Sequence, residues 1–271
     1  MARSIWIMLA IAAWYDYEKW QMDIKTVSLM GSLRKTSIWV SWRFHIYWRR
    51  AEVCHLQKSI YDLKQASRSW NIRFDEVIRG YDFIKNDFDT KEWLSTQFSM
   101  KDLGEVSYIL DIKIIRDRSK RMLGMTQTSY VEKVLKRFKM ENTRRGFLPI
   151  RHVVKLSKKQ SPKIDEELKK MFDIPYASAV GNIQYVVQCT RPDVAFDLSV
   201  TSRYQECADE AHCTTVKIIL KYMRRTRDMF LVYGGGELIL EGYRDASFQF
   251  HEDDAKSQSG FVFRLNGSVV A

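Results

Sequence analysis

Apolar side chains recur at helical spacing in four parts of the chain, and this spacing predicts four helical regions. The regions cover residues 58–79, 130–140, 176–205 and 211–227. Residues 130–140 are typical, because Val131, Val134 and Leu135 lie three or four positions apart and would share one buried face. The region 176–205 is interrupted at Arg191-Pro192, since proline cannot donate the helical backbone hydrogen bond.

Strands are predicted where short apolar runs stand between turn residues. These runs are residues 21–27, 106–115, 122–126, 238–243, 261–265 and 268–270, and the first of them would place Asp23 beside a buried strand. The last two flank Asn266-Gly267, the favoured two-residue turn of a β-hairpin. Residues 157–167 are polar and contain Pro162, which predicts an exposed linker, and the three glycines 234–236 predict a flexible junction between domains. The fold class expected from these elements is α+β.

The charge of the chain indicates a polyanionic partner. With 44 Lys and Arg against 33 Asp and Glu, the formal net charge is +11, and nucleic acid is favoured over a membrane surface because neither end carries a lipid-anchor motif. Between Lys113 and Arg151, twelve basic residues stand against three acidic ones. A solvated helix face explains many such runs, but so local an imbalance favours contact with phosphates. The predicted nucleic-acid-binding residues are Lys133, Lys136, Arg137, Lys139, Arg144 and Arg145.

The four cysteines indicate a reducing, intracellular setting, because they form no C-x-x-C pair and are too sparse for a disulfide scaffold. Cys207, His212 and Cys213 are close in sequence, but no second ligand pair follows, so a zinc site is disfavoured. The apolar run over residues 5–13 is too short to span a bilayer, and it is either a signal-peptide core or a buried helix. We favour the buried helix and predict neither a membrane partner nor a small-molecule substrate.

Five motifs, in order along the chain, resemble the reverse transcriptase region of copia-type LTR retrotransposon Pol polyproteins. They are residues 21–26 (QMDIKT), 53–61 with 63–70, 98–105 (FSMKDLGE), 190–193 (TRPD) and 242–247 (GYRDAS). The resemblance implies a right-hand polymerase fold, with a metal-binding palm and a basic thumb that grips the primer and template, followed by a ribonuclease H-like domain. It implies domain bounds of 1–235 and 236–271, the second being only the start of the ribonuclease H-like sheet.

The resemblance also implies Asp23 as the first palm aspartate and Asp245 as the first carboxylate of the nuclease site, with Mg²⁺ as the metal. Two-metal phosphoryl transfer needs further carboxylates around ions about 3.5–4 Å apart. The family's Tyr-x-Asp-Asp hairpin is expected between residues 83–86 and 93–95, but only a handful of residues separate them. The pair Asp253-Asp254 lies instead in a polar stretch. We therefore expect that the palm hairpin is deleted near residues 86–92, that the nuclease carboxylates after Ala271 are absent, and that both aspartates are vestigial.

Two further departures concern the rest of the family pattern. Residues 34–50 interleave aromatic side chains with arginines where the family has an acidic, proline-containing loop, and Asp62 and Asp111 stand where it has glycine, in a tight turn and a strand respectively. Three hypotheses remain: an RNA-directed DNA polymerase that binds an RNA template and an RNA–DNA hybrid, a non-catalytic basic fragment that binds nucleic acid, and a decayed element without function. We expect descent from the polymerase with its activity lost.

Overall fold

The computed structural model describes residues 2–25, 32–39, 54–58, 66–80, 90–150, 156–247, 253 and 257–271. The helices are α1 (Ala2–Trp14), α2 (Ala66–Arg79), α3 (Thr90–Gln97), α4 (Thr128–Arg137), α5 (Asp165–Phe172), α6 (Tyr176–Cys189), α7 (Ala195–Ser202) and α8 (Glu210–Arg225). The strands are β1 (Trp20–Ile24), β2 (Ser32–Trp39), β3 (Cys54–Lys58), β4 (Met100–Glu105), β5 (Tyr108–Ile109), β6 (Ile112–Asp117), β7 (Met122–Thr126), β8 (Leu231–Tyr233), β9 (Glu241–Ser247), β10 (Gln258–Leu265) and β11 (Ser268–Val269). The mixed α+β class expected from the sequence is confirmed.

The chain divides into two compact units, one made of residues 1–19 and 106–271 and the other of residues 20–105. In the smaller unit, β1 pairs with β4 and β2 pairs with β3, both antiparallel. The rings of Trp70 and Phe74 on α2 pack against Phe98, with centroids 5.0 and 6.0 Å from that ring. Much of residues 34–50, all of 81–89 and Asp62 lie outside the described residues, so the expectations for the out-of-pattern segment, the deletion and that position find no structural description.

The larger unit contains two antiparallel sheets, β5-β6-β7-β8 and β9-β10-β11. Trp6, Leu9, Ala10 and Ala13 of α1 are buried in one core cluster with residues of β6 and β7, as the buried-helix interpretation predicts. A second cluster joins α4, α6 and α8 through Val134, Ile183 and Ile219. The apolar faces predicted for residues 130–140 and 211–227 are therefore the faces that build this helical core.

Three sequence predictions need correction, beginning with the helix at residues 58–79. Lys58 ends β3, and α2 begins only at Ala66. The single strand predicted at residues 106–115 is wrong, because Leu110 and Asp111 have φ values of 49° and 60° and turn β5 back into β6. Asp111 thus occupies a left-handed turn position, where glycine is favoured but aspartate is tolerated, and not a strand.

The third correction concerns the linker predicted at residues 157–167. Ser157 caps a short 3₁₀ turn, Lys158–Gln160, and α5 begins at Asp165. The Ser157 hydroxyl and the Lys158 backbone N–H donate to the carboxylate of Asp253, at 2.7 and 2.9 Å. The Asn-Gly turn is confirmed, since Asn266 and Gly267 have φ values of 49° and 81° between β10 and β11.

Arg191 connects the segment between α6 and α7 to the C-terminal end of α8 through hydrogen bonds. Its side chain is 5% exposed and makes a bidentate pair with Asp193, with N–O distances of 2.9 and 2.7 Å. It also donates to the Thr226 backbone carbonyl at 3.1 Å and to the Thr226 hydroxyl at 2.7 Å, while the Tyr222 hydroxyl donates to Asp193 at 2.9 Å. Burial opposes ionisation of Asp193, but the hydrogen bonds from Arg191 and Tyr222 outweigh it and hold its pKa below the usual value.

Asp197 on α7 gives the fold a pH dependence. The residue is 3% exposed, and burial raises the pKa of its carboxyl to about 6, against about 3.9 in an unfolded chain. Between these values the folded chain binds more protons than the unfolded chain, so this group lowers the free energy of unfolding as the pH rises from about 4 to about 6. Asp197→Asn should therefore stabilise the protein by about 3 kcal/mol at pH 7 and by little at pH 4.

Urea unfolding of the variant and the wild type at both pH values measures this difference. Asp173→Asn is the matched control, because Asp173 is exposed at the end of α5. A gain for Asp197→Asn that is equal at pH 4 and pH 7 would contradict the titration of Asp197 as its cause.

Candidate functional site

Asp23, the predicted palm aspartate, lies in β1 opposite Lys101 of β4. Its side chain is exposed, and not beside a buried strand as the sequence suggested. Asp245, the predicted nuclease carboxylate, is exposed in β9 opposite Gly260, and its Oδ1 accepts a hydrogen bond from the Ala246 N–H at 2.9 Å. The two aspartates belong to different compact units.

The residues around these aspartates do not fit a two-metal centre. Within the described parts of the chain, no three His, Cys, Asp or Glu side chains come together to hold a metal ion. Asp253 is engaged with Ser157 and Lys158, and it also accepts a hydrogen bond from the Tyr204 hydroxyl at 3.1 Å. It therefore anchors a turn.

The basic face of α4 is where the sequence predicts it. Because Val131, Val134 and Leu135 are buried in the helical core, the cations between them project outward. Lys133, Lys136 and Arg137 are exposed. Of these, Lys133 forms an ion pair with Asp111, with 2.8 Å between its Nζ and the Asp111 Oδ1.

Lys139 follows α4 in a left-handed conformation, with φ of 54°. Its N–H donates to the Lys136 carbonyl, and the Met140 N–H donates to the Leu135 carbonyl. These two bonds form a Schellman ending. The buried Met140 side chain holds this end of α4 in the core. The backbone that carries the exposed Lys139 side chain is therefore fixed.

Arg144 and Arg145 are held against α8 by backbone contacts of the segment 143–148, here called the strap. The Gly146 N–H donates to the Lys221 carbonyl at 3.0 Å, and the Arg224 guanidinium donates to the Thr143 carbonyl. A Cβ at Gly146 would lie 3.0 Å from the Tyr222 backbone nitrogen, so the close approach favours glycine. The strap and α8 line a cleft of about 370 Å³ that includes Arg144, Arg145 and Lys221.

A second cleft, of about 240 Å³, lies one helical turn earlier along α8. It is lined by Arg137, Lys139 and Lys217 together with apolar side chains that include Phe138 and Val216. The structure thus brings four of the six predicted cations, Arg137, Lys139, Arg144 and Arg145, to clefts along α8, while Lys136 is exposed on α4 and Lys133 is paired.

Lys217, Lys221 and Arg225 of α8 complete this basic surface, and the sequence prediction of binding residues did not include them. Their signal was present as a spacing of four residues on the side of α8 opposite Ile219 and Met223. The strap could not be predicted from the sequence, because its contact with α8 follows no periodic spacing of residues. We call Arg137, Lys139, Arg144, Arg145, Lys217, Lys221 and Arg225 the α8 basic surface.

Sequence comparisons agree with the motifs. A family model described as reverse transcriptase (RNA-dependent DNA polymerase) matches residues 2–90. The "Retrovirus-related Pol polyprotein from transposon TNT 1-94" of Nicotiana tabacum is 35% identical over 305 residues, which cover 99% of this chain. The chain belongs to the copia-type retrotransposon Pol family. Its descent from an RNA-directed DNA polymerase region follows.

Two other transposon proteins align over most of this chain. The "Retrovirus-related Pol polyprotein from transposon RE1" of Arabidopsis thaliana is 26% identical over 99% of this chain. A putative transposon Ty5-1 protein of Saccharomyces cerevisiae is 24% identical over 80% of each chain. This chain spans only 23% and 20% of the two Pol polyproteins. No solved structure shows a significant similarity to it.

Reverse transcriptases of this family use divalent metal ions and act on nucleic acid. No helix in the described ranges is long and apolar enough to cross a membrane.

Proposed function

We propose that this protein is a nucleic-acid-binding descendant of a copia-type reverse transcriptase that no longer performs polymerase or ribonuclease H chemistry. The observation that carries the proposal is the α8 basic surface. Among the residues that the structure describes, none of its seven cations forms an ion pair, and residues 211–225 contain no acidic side chain. A surface of unpaired cations is suited to a chain of phosphates, because each contact releases a condensed counterion.

The lengths of the alignments support the loss of a palm segment. The Pol polyproteins align over 305 residues, whereas this whole chain has 271, so at least thirty residues of the relatives have no counterpart here. We infer that the missing segment includes the catalytic hairpin near residues 86–92. Asp23 would then be the remaining palm carboxylate and Asp245 the remaining nuclease carboxylate, both vestigial.

The same proposal assigns residues 1–235 to the remnant of a palm and thumb, and residues 236–271 to the start of a ribonuclease H-like sheet. The separate three-stranded sheet β9-β10-β11 supports the second assignment. An RNA template or an RNA–DNA hybrid is the partner by descent. Mg²⁺ would be the ancestral metal, but among the described residues the exposed Asp23 belongs to no group of three side chains that could hold it.

Primer extension on an RNA template tests the catalytic half of the proposal. We expect no extension by the purified protein with Mg²⁺, and no difference between the wild type and Asp23→Asn. The same protein should bind the template with an affinity that falls linearly, on logarithmic axes, as salt rises, and the binding should not depend on Mg²⁺.

Two results would contradict the proposal in different ways. Extension that Asp23→Asn abolishes would mean that other carboxylates complete a working palm. Neither extension nor salt-sensitive binding would favour a decayed element without function.

A further inference from the structure

We propose that the cleft between the strap and α8 binds an unpaired nucleotide strand, with a base stacked on the ring of Phe147. The inference rests on the proposed nucleic-acid function and makes it more specific, because it names a single strand rather than a duplex as the ligand. The cleft is lined by Arg144, Arg145, Gly146, Phe147, Leu148, Ile218 and Lys221.

Phe147 is an exposed aromatic ring among cations. It is 69% exposed, and its neighbour Leu148 is 58% exposed. The Arg225 guanidinium lies over the ring, 4.1 Å from its centroid, which is a cation–π geometry. This contact fixes the orientation of the ring while leaving most of its surface in solvent.

The backbone that carries Phe147 is set before any ligand arrives. The bonds from Gly146 to Lys221 and from Arg224 to Thr143 attach the strap to α8 on the N-terminal side of the ring. Ordering a loop on binding costs affinity. A pre-attached strap avoids much of that cost.

The positive charge of the cleft indicates which class of ligand it binds. Within the described residues, Arg144, Arg145, Lys221 and Arg225 lack a carboxylate partner, and the strap contains no acidic residue. The cleft therefore favours a ligand that presents both anions and flat apolar faces. Single-stranded nucleic acid has this combination, since its phosphates meet cations while its bases stack on aromatic side chains. A duplex hides its base faces, and an acidic peptide brings no regular series of π-faces.

The experiment measures the affinity of the full chain for a fluorescent single-stranded oligoadenylate, a duplex of the same length and an abasic strand of the same length. Stacking contributes about 1–3 kcal/mol per base, so Phe147→Ala should weaken oligoadenylate binding by roughly 10-fold. Phe147→Trp should retain or increase the affinity. On the duplex and on the abasic strand, Phe147→Ala should bind like the wild type.

Phe172→Ala is the matched control, because Phe172 is 88% exposed at the end of α5, outside the α8 basic surface, and it should change none of these affinities. Salt-dependent binding by the wild type that Phe147→Ala leaves unchanged would overturn the stacking site while the proposed function stands. Absence of wild-type binding to any of the three ligands would overturn the proposed function itself. Competition by an acidic peptide with no loss in Phe147→Ala would also overturn the inference.

Discussion

Arg191→Ala should lower the free energy of unfolding of the larger unit by about 3 kcal/mol. The substitution removes a buried guanidinium that binds Asp193 through two hydrogen bonds and Thr226 through two more. It leaves the Thr226 carbonyl and the half-buried Asp193 carboxylate without these donors, and an unpaired polar group is costlier than a pair that was never formed. Urea unfolding followed by circular dichroism measures the change.

Arg191→Lys should recover only part of the lost stability, because an ammonium group cannot reproduce the planar bidentate geometry. Arg227→Ala is the control for loss of an arginine near the same turn. Arg227 is 40% exposed and pairs with Glu132 and Asp228 at 3.3 and 3.5 Å, and exposed pairs of this kind contribute less than about 1 kcal/mol. Equal losses for Arg191→Ala and Arg227→Ala would contradict the role of Arg191 as the tie between α6, α7 and α8.

The sequence predicted those elements that have a strong period or an unambiguous turn. Strand β7 was predicted at residues 122–126 and lies there, and the Asn266-Gly267 turn formed because both residues adopt positive φ. Helices α4 and α8 followed their apolar faces, since Val134 and Ile219 could be buried only on one side. In these cases local chemistry and tertiary packing favour the same structure.

The sequence predictions failed where an unusual backbone conformation or a contact with a distant part of the chain determines the local structure. The strand predicted at residues 106–115 is broken at Asp111, and a charged residue at a left-handed position gives no period to detect. The turn after Ser157 is stabilised by Asp253, about a hundred positions later in the chain, which no local pattern contains. The burial expected around Asp23 is absent because β1 has one described partner, β4.

The candidate site was likewise predictable from the sequence only in part. The cations of α4 were predictable from composition and helix period, whereas the contribution of α8 depended on the strap. Gly146 is the residue that allows this contact, and in the sequence it is an isolated glycine after two arginines. The helical core that supports the surface joins α4, α6 and α8, so the binding surface does not depend on the palm segment that the proposal regards as lost.

Reversing three charges of the α8 basic surface should lower affinity for single-stranded RNA by at least about 100-fold at low salt. The variant is Arg144→Glu, Arg145→Glu and Lys221→Glu, which places three carboxylates in the cleft of the strap. All three side chains line an open cleft outside the core clusters, so the fold should survive. The slope of log affinity against log salt should decrease by about 0.7 for each phosphate that the variant no longer neutralises.

The matched control carries Lys163→Glu, Lys169→Glu and Lys170→Glu, which changes the net charge equally at exposed positions in and before α5. If net charge alone governed binding, both triple variants would lose affinity and slope to the same extent, and the α8 basic surface would have no special role. A loss confined to the strap variant would mean that phosphates bind this cleft directly. Because the salt slope reports the number of neutralised phosphates while Phe147→Ala measures stacking, the two experiments separate the electrostatic part of binding from the aromatic part.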